Sequence, residues 1–178
     1  MSNSLTCVVF GTDTGNTEEV GKKIAARLDD LGLGVDLADV SLIDLDQLLD
    51  YEFLILGIPT WDFGGIQDDW DELEDRLGQL DLSGKVVALY GLGDQHGYAD
   101  YYLDAMGWLH ERLAQSNATF VGRWPTEGYD FSASRAVSAD GETFCGLALD
   151  EDNQFDQTEE RVVKWIDQIL SEYIAASS

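Results

Sequence analysis

Basic residues are scarce. The 178-residue chain carries 10 Lys plus Arg against 35 Asp plus Glu, a formal net charge of −25. Nucleic acid and anionic lipid both repel such a chain, so general electrostatics holds it to neither; its charged partners should be basic. Proline is also rare, with two residues, and no low-complexity tract or internal repeat appears. With 44% hydrophobic and 25% charged residues, the composition is that of an ordinary globular protein, and disorder is not expected. The length suits one domain over residues 1–178. Two cysteines and two histidines are too few for a disulfide framework or a structural zinc site. Cys7 in the apolar run 5–10 and Cys145 beside Phe144 read as small core residues. Residues 53–58, the longest strongly apolar stretch, cannot span a bilayer. Residues 1–10 have no basic region and only a six-residue apolar run, unlike a secretory signal. These absences point to a cytoplasmic protein with no membrane insertion.

Short apolar runs alternate with helical periodicity. Residues 5–10 read as a buried strand, and Val20, Ile24, Leu28 and Leu31 then mark one face of a helix. A weak strand follows at 35–38, a third at 53–57 and a fourth at 85–90, with a short helix marked by Trp70, Leu73 and Leu77 between the last two. Leu103, Met106, Leu109 and Leu113 mark a further helix, 118–122 begins a fifth strand, and Val162, Ile166, Ile169 and Tyr173 mark the terminal helix. Such alternation implies a parallel α/β sheet covered on both faces, and five strands fit the doubly wound order 2-1-3-4-5. Residues 123–143 lack periodicity and precede a second apolar run at 144–149. They are expected to be an insertion that splits strand five; a sixth strand is the alternative.

Ligands of an open parallel sheet bind beyond the carboxyl ends of its strands, where the strand order reverses. The loops after strands one, three and four should line that point. The first is Gly11-Thr12-Asp13-Thr14-Gly15-Asn16-Thr17, opening into a helix. Helix N-terminal N–H groups and threonine hydroxyls suit one phosphate monoester, and no Lys follows Gly15, so this is not a nucleoside-triphosphate loop. A polar N-cap cluster is the plainer alternative. The second, Gly57-Ile58-Pro59-Thr60-Trp61-Asp62-Phe63-Gly64-Gly65, offers a tryptophan for stacking on a flat ligand, unless Trp61 and Phe63 fold onto their own loop. The third, Gly91-Leu92-Gly93-Asp94-Gln95-His96-Gly97-Tyr98, offers a second aromatic for the opposite ring face, unless Tyr98 is simply hydrogen-bonded within its loop. A phosphate cradle with two aromatic jaws describes a site for flavin mononucleotide (FMN).

At these residues the sequence resembles a long-chain flavodoxin, most of all the cyanobacterial type. The resemblance rests on Thr12-Asp13-Thr14-Gly15-Asn16-Thr17, Pro59-Thr60-Trp61, Gly93-Asp94-Gln95, Gly97-Tyr98, and two later segments. These are Thr126-Glu127-Gly128-Tyr129-Asp130-Phe131 and Gly146-Leu147-Ala148-Leu149-Asp150-Glu151-Asp152-Asn153-Gln154. It implies a three-layer flavodoxin-like fold, a monomer, and one noncovalent FMN between Trp61 and Tyr98. Cofactor contacts would come from Thr12, Asp13, Thr14, Gly15, Asn16, Thr17, Pro59, Thr60, Trp61, Asp62, Phe63, Gly64, Gly93, Asp94, Gln95 and Tyr98. It further implies a low-potential one-electron carrier, not an enzyme, that works between semiquinone and hydroquinone in place of a ferredoxin. The Asp62 carbonyl would accept the proton on flavin N5. Implied partners are ferredoxin–NADP reductase and, depending on the host, photosystem I or nitrogenase reductase. The chain departs from the cyanobacterial pattern at Asp62, where Asn is common, and at His96, where an apolar residue is usual.

Residues 62–75 hold seven acids and residues 150–160 hold six, with no base in either interval. Both runs should form a negative rim at the flavin edge that steers basic partners. A high-salt host is the competing explanation, since Asp outnumbers Glu 23 to 12 and there are four lysines. A quinone reductase on the same fold would need basic residues for a nicotinamide phosphate, and none is placed for it. A phosphoacceptor receiver would need an acidic cluster after strand one, where this chain has threonines.

Overall fold

The structure is a computed structural model, and it describes residues 5–177. Met1 to Ser4, part of the segment weighed as a leader, lie outside the described residues. The strands β1 (Thr6–Phe10), β2 (Val35–Asp39), β3 (Phe53–Trp61) and β5 (Val86–Leu92) pair in parallel in the order β2-β1-β3-β5. Beyond β5 the last sheet position is shared by β6 (Thr119–Val121) and β9 (Leu147–Leu149). β6 pairs with residues 86–88 of β5 and β9 with residues 90–92, so the two are halves of one interrupted strand. Gly146 stands at the junction, where an added Cβ would come within 2.2 Å of the Leu89 carbonyl oxygen. The sheet order is therefore the one the alternation implied. The interruption holds a two-stranded hairpin of β7 (Trp124–Pro125) and β8 (Thr143–Phe144).

Strand residues alternate between two cores because successive side chains point to opposite faces. On one face Val8, Phe53, Ile55, Ala88 and Tyr90 meet Val20, Ile24 and Leu28 of α1 (Asn16–Asp30) and Val162, Trp165 and Ile169 of α5 (Thr158–Ser177). On the other, Cys7, Val9, Leu54, Leu56, Val87 and Leu89 meet three further helices. These are α2 (Asp68–Asp71), α3 (Glu74–Leu77) and α4 (Asp104–Arg112). Cys7 is buried and Cys145 half-buried, and both are free.

Two local differences matter for the site. The third strand runs on to Trp61 rather than stopping at Gly57, since Ile58 and Pro59 still pair with Gly91 and Leu92. Trp61 and Thr60 then pair antiparallel with β4 (Gly65–Ile66), so the Trp loop is a tight hairpin around residues 62–64. The short helix marked by Trp70 and Leu77 is two separate turns, α2 and α3. No described helix is long and apolar enough to cross a membrane.

Candidate functional site

A cavity of about 380 Å³ opens at the carboxyl edge of the sheet, between β1 and β3, where the strand order reverses. That volume is in the range of small-molecule sites. Thr12, Asp13, Thr14, Asn16 and Thr17 line it from the first loop, Pro59, Thr60, Trp61 and Asp62 from the second, and Gly93, Asp94 and Tyr98 from the third. Leu92, Glu151 and Asp152 complete the lining. The three loops singled out in the sequence thus surround one cavity. The sequence placed Gly91 and Leu92 in the third loop, but they still pair with Ile58 and Pro59, so Leu92 reaches the cavity as the last residue of β5. Glu151 and Asp152 belong to the acidic run expected at the rim.

Helix α1 begins at one end of the cavity. Its N-cap is Gly15 at φ +95°, a left-handed conformation that glycine adopts without strain. Glycine has no side chain with which to cap the helix, so the first-turn N–H groups are left for another acceptor. The turn is braced on both sides. Gly15 N donates to Thr12 Oγ1 at 2.9 Å, and the Tyr90 hydroxyl, from the middle of the sheet, donates to the Thr17 carbonyl at 2.9 Å. Tyr90 is fully buried and reaches that carbonyl only because Gly57 has no side chain: a Cβ there would lie 2.0 Å from the Tyr90 ring. Gly15 therefore shapes the cradle without lining the cavity.

Trp61 and Tyr98 both line the cavity, and no ring contact joins them. The Trp61 indole N–H is buried with no acceptor, an orphaned donor on the cavity wall. Phe63 points elsewhere. It is 75% exposed and stands edge-on between Tyr98 and Tyr101, each ring centroid 5.7 Å away. The Tyr98 phenol pairs with the Asp62 carboxylate, whose hydrogen bond and charge hold it above the usual phenol value. Gly64, at φ +84°, lies behind this turn against Asp104.

Gln95 does not line the cavity either; it is fully buried. Its backbone N–H and Nε2 both donate to Asp150 Oδ2, at 3.1 and 2.8 Å, and its Oε1 accepts the Asp130 N–H. Asp94 Oδ1 accepts N–H groups of His96 and Gly97 and the Asn153 amide at 2.8 Å. Burial raises the Asp94 carboxyl, but these hydrogen bonds outweigh burial and bring it below the usual value. Asp152 is pushed up, first by burial and then by the neighbouring charges of Asp94, Asp150 and Glu151. His96 is exposed, with Nδ1 3.9 Å from Asp130 Oδ2.

The outer wall is held by the insertion. Main-chain N–H groups of Asp130, Ser132, Ala133 and Arg135 donate to Gln95 Oε1, to the Ala99 carbonyl twice, and to Asp104 Oδ1. All these acceptors lie on the segment that carries Tyr98. Tyr129 fixes the strap itself: its hydroxyl donates to the Ala148 carbonyl at 2.6 Å, and Arg161 sits 4.2 Å above its ring.

Electrostatically the lining is one-sided. Asp13, Asp62, Asp94, Glu151 and Asp152 contribute five carboxylates, and no Lys or Arg lines the cavity. The acidic turns α2 and α3 adjoin it, because Gln67 Nε2 bridges Asp13 and Asp69.

The model of the flavodoxin family matches residues 8–165 of this chain. Flavodoxin 2 of Escherichia coli K12 is 48% identical over 171 residues, which cover 92% of this chain and 93% of that protein. A flavodoxin of Picosynechococcus sp. is also 48% identical, over 160 residues covering 90% of this chain and 92% of its own. Among solved structures, a Fusobacterium nucleatum flavodoxin bound to flavin mononucleotide superposes with a TM-score of 0.87 at 28% identity, covering 94% of this chain and 97% of that one. By sequence and by fold, the chain belongs to the flavodoxin family.

Proposed function

We propose that this chain is a low-potential one-electron carrier of the long-chain type that holds FMN noncovalently, and that it is not an enzyme. Bound FMN would supply a ring that takes up electrons one at a time. The observation that carries the reading is the make-up of a single cavity: an uncapped helix N-terminus at one end, two separated aromatic walls, and five carboxylates with no base.

Each part has a role. The first-turn N–H groups of α1, with Thr12, Thr14, Asn16 and Thr17, bind the phosphate. Trp61 and Tyr98 flank the ring and exclude water from its faces. Gly15, Gly64 and Gln95 act from behind the lining, while Phe63 stands exposed beside Tyr98. The carboxylates disfavour negative charge gathering on the ring, which lowers the second reduction potential. Each ~1.4 kcal/mol of such disfavour lowers a one-electron potential by ~59 mV. The Asp62 carbonyl would accept a hydrogen bond from a protonated N5 of the ring. The same rim draws basic redox proteins: ferredoxin–NADP reductase and, with the host, photosystem I or nitrogenase reductase. We place the protein in the cytoplasm as a monomer. The enterobacterial and cyanobacterial relatives stand level at 48% identity, and the proposed cyanobacterial kinship rests on the motifs alone.

The test is an absorption spectrum of the protein loaded with FMN, followed by stepwise anaerobic reduction. A long-wavelength band that grows with the first electron and vanishes with the second is expected. Direct bleaching to the two-electron state would make it a two-electron flavoprotein instead. The phosphate cradle is checked with Thr12→Ala, expected to weaken FMN binding while leaving riboflavin, which lacks the phosphate, unaffected.

A further inference from the structure

Asp104 opens helix α4 and is 7% exposed, yet it lines no part of the cavity. Three segments meet at it. The insertion strap reaches Oδ1 through the Arg135 N–H, at 2.8 Å. The start of α4 is tied to the cavity wall one residue later, where Ala105 N donates to Thr60 Oγ1 at 3.1 Å. The third segment is the hairpin turn 62–64: a Cβ on Gly64 would lie 3.0 Å from Asp104 Oδ2 and 3.2 Å from its Cβ. The preceding Leu103 is buried in the left-handed region at φ +58°, a costly conformation for a bulky side chain.

The carboxyl therefore forms the floor under the turn that carries the Asp62 carbonyl. Ionised, it offers only acceptors beside that turn; protonated, it offers a donor. The charged groups that face it are Arg135 from the strap and Glu111 from α4 itself. Burial raises its pKa, ahead of the opposing Arg135 hydrogen bond and charge.

We propose that Asp104 is a positioning residue for the flavin turn, setting the orientation of the Asp62 carbonyl, and that its ionisation makes the first reduction step depend on pH beyond the ring's own proton. The inference rests on the FMN reading above, and it adds a control point that lies outside the cavity.

The experiment measures the first midpoint potential of the FMN-loaded protein from pH 4.5 to 8.5. Wild type is compared with Asp104→Asn and with Asp100→Asn, a nearby exposed control. Wild type and the Asp100 variant should share an inflection that the Asp104 variant lacks. Asparagine keeps an acceptor for the Arg135 N–H, so the variant should fold, and the circular dichroism of the apoprotein checks this. Gly64→Ala presses on the same contact from the other side and should displace the same inflection, which covers the case in which Asp104→Asn does not fold. Superimposable profiles in wild type and the folded Asp104 variant, or an unmoved inflection in Gly64→Ala, would overturn the proposal. A wild type that fails to quench FMN fluorescence on titration would instead remove the FMN reading itself.

Discussion

Two carboxylates, half-buried Asp94 and buried Asp104, carry opposite signs of pH dependence. Asp94 is held below the usual carboxylate value by hydrogen bonds from Gly97, Asn153 and His96, which exceed the effect of burial. A depressed folded-state pKa gives stability that is present above the unfolded value of ~3.9 and is lost as pH falls through the folded one. Asp104 runs the other way, because burial lifts it. Its ionisation costs stability at neutral pH, and the cost disappears as pH falls through its raised pKa to the unfolded value. Asp94→Asn is therefore expected to lose roughly 1 kcal/mol at pH 7, where charge-assisted bonds become neutral ones. The loss should shrink as pH falls below the unfolded value and vanish once wild-type Asp94 is itself protonated, below its depressed pKa. Urea unfolding of the apoprotein over a series of pH values from 7 downward into the acid range measures both, and a loss that stays constant across the whole series would refute the assignment. Neither carboxylate could be ranked from the sequence. Asp94 was picked out by its glycine-rich loop, while Asp104 sits in an amphipathic helix where any acid resembles a solvated one.

At the scale of elements, the insertion works as a strap across the outside of the Tyr98 segment. Gln95 is its buckle, since its side chain joins the Asp130 N–H to the Asp150 carboxylate in a fully buried setting. Gln95→Ala leaves both short of a partner and is expected to cost about 2–3 kcal/mol. It should also weaken FMN binding, because Tyr98 loses its backing. Thermal unfolding of the apoprotein and FMN titration read the two effects separately; lost stability with unchanged FMN affinity would mean the segment keeps its shape without the strap. The elements themselves were largely legible. Residues 5–10, 53–57 and 85–90 are apolar runs of strand length, and α1, α4 and α5 have clear helical periodicity. The end of β3 was not, because Pro59 and the glycines at 64 and 65 look like loop residues. Yet Pro59 still pairs with Leu92 of β5, and the glycines lie at a hairpin turn. The role of Gln95 was hidden for a related reason. A glutamine between glycines reads as a ligand contact, and only the three-dimensional return of residues 130 and 150 to the same point turns it into a brace.

For the whole molecule the governing quantity is the net charge of −25. Self-repulsion of that size opposes the compact state, and salt relieves it: the screening length falls from ~10 Å at 0.1 M to ~3 Å at 1 M. Few of the acids are offset locally. The close ion pairs, such as Arg76 with Asp44, Arg135 with Glu111 and Lys164 with Glu160, lie on exposed surface where such pairs contribute little. Apoprotein stability is thus expected to rise steadily between 0.05 and 1 M NaCl. The same screening acts in the opposite direction on docking. The five carboxylates of the cavity lining and the acids of α2 and α3 sit on one edge of the molecule, where a basic redox protein would approach the ring. Electron transfer to ferredoxin–NADP reductase should therefore slow over the same salt range in which the carrier becomes more stable. Stopped-flow rates and melting curves in matched buffers separate the two origins of the charge. Rising stability with falling rate means the acidic edge steers partners. Rising stability with a flat rate means that the charge serves a salty medium and that docking depends on the aromatic edge of Phe63 and Tyr101 instead.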